Sequence, residues 1–140
     1  MIRYSDVVVG AELPSQTFQL TRADLVRYAG ASGDFNPIHW SAETAVGVGL
    51  PDVIAHGMLT MAMVLRVATD WVGNPGAVLD YGVRFTRPVV VPRESGVQLE
   101  VAGVVRALNE DDGTAEIDLT ARVDERTVLA KSRVVLRLER

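Results

Sequence analysis

Residues 57 to 71 constrain the fold more than any other stretch of this chain. From Gly57 onward, Met58, Leu59, Met61, Ala62, Met63, Val64, Leu65, Val67 and Ala68 put apolar side chains on nearly every side of a helix that reaches about Trp71. A helix that is apolar all round belongs in a core rather than on a surface. Arg66 interrupts the run after Met58 to Leu65, which is too short to span a bilayer. Something else in the chain must therefore wrap around this helix. The second half supplies it: 78–86, 97–108, 115–123 and 127–138 are rich in β-branched residues and show stretches of alternation. Residues 109–113 and 124–126 read as hairpin turns, so the last three strands form an antiparallel meander. Pro88 and Pro92 interrupt the sheet where an edge or bulge tolerates them. The expected fold class is α+β, a long antiparallel sheet wrapped around one central buried helix.

The first half is shorter in regular structure. Gln16 to Leu20 reads as a first strand, Thr21 and Asp24 as the two ends of a capping box, and Gly30 as the stop of the helix that follows. Ser41 is placed to cap a short helix through Val46. With 140 residues, 48% of them hydrophobic, the expectation is one domain over residues 1–140. The net charge of -4 argues against nucleic acid as a partner. The absence of cysteine excludes disulfides and thiolate chemistry, and the N-terminus has no apolar signal core. We therefore expect a soluble cytoplasmic protein with no membrane association.

Between the two halves lies YAGASGDFNPIHWS, from Tyr28 to Ser41, which sets Asp34 and His39 on a stiff segment. Pro37 fixes its own φ and biases Asn36 toward extended backbone, while Gly33 opens angles closed to other residues. The carboxylate and the imidazole can then face one point as an acid/base pair. Downstream, Gly57 starts the apolar helix, and a helix start offers unpaired N–H groups and positive potential to a developing oxyanion.

These residues carry a resemblance. The run from Tyr28 to Ser41, followed by IAHGM from Ile54 to Met58, resembles the signature of the MaoC-like, or (R)-specific enoyl hydratase (hydratase 2), family of hot-dog-fold enzymes. YGVRFTRP from Tyr81 and WVGNPG from Trp71 extend the similarity over nearly the whole chain, and it is strongest to actinobacterial (3R)-hydroxyacyl-acyl carrier protein dehydratase catalytic subunits. The resemblance implies a single hot-dog domain and a hydro-lyase that reversibly adds water to a trans-2-enoyl thioester to give the (R)-3-hydroxyacyl thioester. It implies catalytic Asp34 and His39, Asn36 as an orienting residue, and the Gly57 N–H as oxyanion donor. It also implies an acyl-CoA or acyl-carrier-protein substrate, no metal or other cofactor, and a homodimer or a heterodimer with a related hot-dog subunit.

The chemistry agrees with those residue types. Hydration needs a base for water, polarisation of the thioester carbonyl and delivery of a proton to C2. His39, of a residue type that titrates near 6.5, suits the principal base, with Asp34 sharing the water. The order of proton transfers stays open at this level. Three other readings also stay open: a subunit of a heterodimeric dehydratase that needs its sister chain, a hot-dog acyl-thioesterase, and a noncatalytic acyl-thioester binding module. His56 is expected to bond backbone near the helix start, and Thr60 likewise. Met58, Met61 and Met63 are expected to fill core, and Arg84, Arg87 and Arg93 to form a solvated charged face.

Overall fold

Residues 2–140 are described by the structure, a computed structural model. Strand β1, Glu12–Leu20, leads into helix α1, Arg22–Ser32, through the expected capping box. Asp24 Oδ2 accepts from the Thr21 N–H at 2.8 Å, and Thr21 Oγ1 accepts from the Asp24 N–H. Gly30 does not stop α1. The helix runs on to Gly33, whose left-handed φ of 77° is the helix-ending geometry glycine adopts at least cost. A glycine inside a helix costs only about 1 kcal/mol, and the cap together with the buried Leu25 and Ala29 offsets it.

Helix α2, Ala42–Gly47, is capped by the Ser41 hydroxyl, which accepts from the Thr44 N–H at 3.2 Å. Helix α3, Gly57–Val72, ends at Gly73 with φ 71°. The remaining strands are β2 Val78–Phe85, β3 Val97–Asn109, β4 Thr114–Val123, β5 Arg126–Thr127 and β6 Leu129–Arg137. All pair antiparallel in the order β1-β3-β4-β6-β2, with the short β5 against β4. The expected meander is therefore present, and the sheet closes over α3 as the hot-dog arrangement requires. Two strands differ from expectation. β1 begins earlier, at Glu12, because a bulge between Leu13 and Gln16 lets the chain pass Pro14 without losing the ladder. The last strand is split at Val128, whose carbonyl accepts from the Thr86 N–H while its own N–H donates to Ala121 O, so the chain steps from β4 toward β2.

The core lies between α3 and the inner face of the sheet. Val64, Val67, Ala68 and Val72 of α3 meet Leu20, Leu99, Val101, Ile117, Ala121, Val134 and Leu136, all at most 2% exposed. Tyr81 ties β2 to the helix, its hydroxyl donating to Met61 O at 3.2 Å, and burial pushes its pKa up. The expectation of a helix buried all round does not hold. α3 buries one stripe, while Met58 is 58% exposed and Ala62 and Arg66 lie open. The sheet of one chain covers only one side of the helix, so Met58 is not the core filler expected of it. Met63 does pack against the core. No described helix is long and apolar enough to cross a membrane.

Candidate functional site

The end of α1 and the start of α3 meet beside the sheet, and the candidate residues gather there. Past Gly33, the Asp34 N–H donates to Ser32 Oγ at 3.2 Å, and Asp34 Oδ1 accepts from the Asn36 N–H at 3.2 Å. One carboxylate oxygen is thus spent on holding the turn, and the other is free to face the site. Asn36 caps a 3-10 turn over Pro37–His39, its Oδ1 accepting from the Ile38 N–H at 3.3 Å. That bond is local to the turn that carries His39. Trp40 closes the segment by donating its indole N–H to Phe35 O at 3.0 Å.

His39 is 7% exposed and its Nδ1 lies 2.7 Å from Ile54 O. A carbonyl only accepts, so Nδ1 carries a proton, and in the neutral ring Nε2 presents its lone pair. Ile54 is itself fixed, because 53–55 runs beside 89–91 through Ala55 N–H to Val89 O at 2.8 Å and Val91 N–H to Val53 O at 2.9 Å. His39 Nε2 then stands 3.9 Å from Asp34 Oδ2, whose side chain is 52% exposed. That separation is too long for a direct hydrogen bond, yet both atoms can reach a single oxygen at about 2.8 Å each. The spacing leaves room for one water or hydroxyl between the imidazole and the carboxylate.

Gly57 is the first residue of α3, so its N–H has no intrahelical acceptor. It lines a cavity of about 310 Å³ together with His39, Thr60, Phe85, Arg87 and Leu129. A Cβ at position 57 would sit 3.1 Å from Phe85 Cε1, so glycine is what lets the ring lie over the helix start. His39 and Gly57 therefore share one cavity, Asp34 faces His39 across 3.9 Å, and Asn36 caps the turn that carries His39.

His56, expected to bond backbone, does so: its Nε2 lies 3.1 Å from Asp34 O. It also stacks on His39, with ring centroids 3.8 Å apart and planes 23° from parallel, and meets Tyr28 edge-on at 4.8 Å. Burial lowers the His56 pKa below 6.5, and His39 adds to the lowering, against the hydrogen bond to Asp34 O and the Asp34 charge. Asp34, His39 and His56 bring ligand-type atoms within 4.8 Å of one another. Near-parallel stacking, however, sends the in-plane lone pairs of the two rings side by side rather than toward one ion. The cluster suits proton transfer better than metal binding.

Thr60, Phe85 and Leu129 face the cavity without having been singled out as site residues from sequence. Thr60 lies within a turn of Gly57 and its hydroxyl reaches His56 O at 3.4 Å, so its position was legible from helical spacing. Phe85 and Leu129 arrive by pairing across the sheet, Phe85 opposite Leu129, and carry no local signal. The arginines do not form one cluster. Arg87 lines the cavity, whereas Arg93 lines a separate depression with Arg22, Trp40 and Asp52.

The model of the MaoC-like domain family matches residues 7–123. The 3-hydroxyacyl-thioester dehydratase X of Mycobacterium tuberculosis is 44% identical over 84 residues, which cover 60% of this chain and 29% of that protein. A solved structure described as a MaoC-like dehydratase superposes with a TM-score of 0.96 at 40% identity, covering 99% of this chain and 42% of that one. R-hydratase PhaJ1 from Pseudomonas aeruginosa superposes at 0.84 with 27% identity, covering 99% of this chain and 87% of that one. The chain spans less than half the length of the first two.

Proposed function

The chain belongs to the MaoC-like domain family, and from that premise we propose that it reversibly hydrates trans-2-enoyl thioesters to (R)-3-hydroxyacyl thioesters. The observation that carries the reading is the convergence of His39 Nε2 and Asp34 Oδ2, 3.9 Å apart, beside a cavity lined by Gly57 at the start of α3. Water between the two groups gives one proton to His39 Nε2 as its oxygen bonds C3. Asp34 accepts a hydrogen bond from the hydrogen that stays on that oxygen and steadies the imidazolium. The electron pair of the double bond moves onto the thioester oxygen, which the Gly57 N–H holds at the positive end of the helix. Collapse of the enolate draws a proton from the imidazolium to C2 and returns His39 to its neutral form. Dehydration runs the same steps backward. Atoms and charge balance with no other reagent.

In this reading residues 1–140 act as one hot-dog domain in the cytoplasm, Asn36 orients the turn carrying His39, and the substrate is an acyl-CoA or acyl-carrier-protein thioester. The cavity mouth supports a second subunit. Phe85 and Leu79 on edge strand β2 are 50% and 45% exposed, and Met58 on α3 lies open as well. The opposite edge, β1, is blunted by Pro14 and presents Glu12, Ser15, Thr17 and Gln19, so β2 is the edge left for pairing. The partner is a second copy or a related hot-dog chain.

The test mixes the purified chain with crotonyl-CoA and follows loss of the enoyl-thioester absorbance, with chiral analysis of the product. Formation of (R)-3-hydroxybutyryl-CoA that falls at least about 100-fold in Asp34→Asn and His39→Ala supports the proposal. Release of free thiol in place of hydration would replace it with a thioesterase. Activity that appears only when a related hot-dog subunit is added would assign the chain to a heterodimer.

A further inference from the structure

We propose that His56 is a positioning residue, its neutral imidazole fixing both members of the Asp34/His39 pair from behind. This deepens the hydratase reading and rests on it for the catalytic part of its test.

The chain has two histidines, and they lie face to face in the same site. His56 is 1% exposed, whereas surface-type roles require access to water. Its Nε2 donates to the Asp34 carbonyl, which pins the backbone of the very residue whose side chain faces His39. Its ring covers the His39 ring at 3.8 Å, so His39 can turn about its own axis only by breaking the stack or its bond to Ile54 O. The remaining ring nitrogen, Nδ1, is buried with no hydrogen-bond partner among the described residues. A buried polar atom left without a partner is uncommon and costs stability, so packing alone gives no reason for a histidine here over an apolar ring.

The surroundings explain what the imidazole supplies. Tyr28 from α1 meets the His56 ring edge-on, Thr60 from α3 donates its hydroxyl to the His56 carbonyl, and His39 and Asp34 face His56 from the intervening segment. Apart from the Asp34 carboxylate, nothing in this set offsets a positive charge on His56, and a charged ring would repel a His39 that had just accepted a proton. A neutral ring with one donor and one flat face meets both needs: it orders Asp34 through its N–H and His39 through its face. Phenylalanine at this position retains the face and loses the donor. Glutamine retains a donor near the Nε2 position and loses the face.

The experiment combines kinetics with nitrogen-15 spectra of the imidazoles, which two histidines make simple to assign. In the wild-type chain the His56 ring is expected neutral with its proton on Nε2, and Nδ1 of His39 is expected to carry a proton. In His56→Phe, kcat toward an enoyl thioester falls by up to about 100-fold with KM unchanged, as misplacement of a reacting group by a fraction of an ångström requires. His56→Gln restores part of kcat, and faster amide exchange in the Asp34 turn appears in the phenylalanine variant alone. Wild-type kcat in a folded His56→Phe chain would overturn the proposal, as would a His56 proton found on Nδ1. If the wild-type chain hydrates no enoyl thioester, the hydratase reading fails, while the tautomers and the exchange of the Asp34 turn still decide whether His56 orders the pair.

Discussion

At the scale of single residues, Gly57 offers a sharper test of oxyanion binding than deletion of a side chain. Proline is favourable at the first position of a helix and lacks only the N–H. His56, the residue before it, already has φ -57° and ψ 131°, the backbone that a following proline prefers. Gly57→Pro should therefore leave the fold intact while lowering kcat by about 100- to 1000-fold. Gly57→Ala keeps the N–H and adds the same contact with Phe85, 3.1 Å from Cε1, so it separates the lost donor from the displaced ring. Comparable kcat in the two variants would remove the Gly57 N–H from the mechanism. His56 makes a second prediction, on stability. Its folded pKa lies below 6.5, so the unfolded chain binds the proton more readily. Stability is then full above about 6.5 and declines as pH falls through and below that value. Urea midpoints measured across this range should fall toward acid in the wild type and change less in His56→Phe.

Among the elements, α1 tests how much of the site depends on a cap. Thr21→Ala removes the bonds of the Thr21 hydroxyl with Asp24, leaves the backbone N–H bond to Asp24 Oδ2, and should cost about 1 kcal/mol, read as a lower urea midpoint at unchanged slope. The hydroxyl and backbone of Thr21 hold the Asp24 pKa down, so part of that loss should vanish in acid once Asp24 is protonated. Local chemistry made this element legible, since a capping box is a pattern of neighbours. The same holds for the turns at 109–113 and 124–126, and for the Asp34 and His39 segment, where Gly33 permits the turn out of α1 and Pro37 fixes the backbone before His39. Legibility ended where geometry depends on distant pairing. Gly30 and Gly33 look alike in sequence, and only the left-handed φ at 33 tells which one ends α1. Phe85 reaches the cavity through its register with Leu129, and Ile54 orients His39 because 53–55 lies beside 89–91. The stack of His56 on His39 joins two segments that no sequence spacing relates.

The whole molecule is one-sided. On the outer face of the sheet, Arg133 pairs with Asp118 at 2.9 Å and Arg106 lies 3.6 Å from both Glu116 and Asp118, a charged ladder suited to water. Along β2 and the open side of α3, the large apolar residues Leu79, Phe85 and Met58 lie exposed among Asp80, Arg84 and Arg66. Placing charges there in a Leu79→Lys, Met58→Glu double variant should halve the solution mass seen by sedimentation while leaving the helical and strand content unchanged. A wild-type chain that sediments as a monomer both alone and mixed with a related hot-dog chain would remove the partner surface. Phe85 gives this edge a kinetic meaning, because the ring that roofs Gly57 rides on the strand whose outer side has no neighbour among the described residues. Association and turnover are then linked by mass action: diluting the protein should reduce the rate per chain at saturating substrate, and the concentration at half-loss should match the dissociation constant of the assembly.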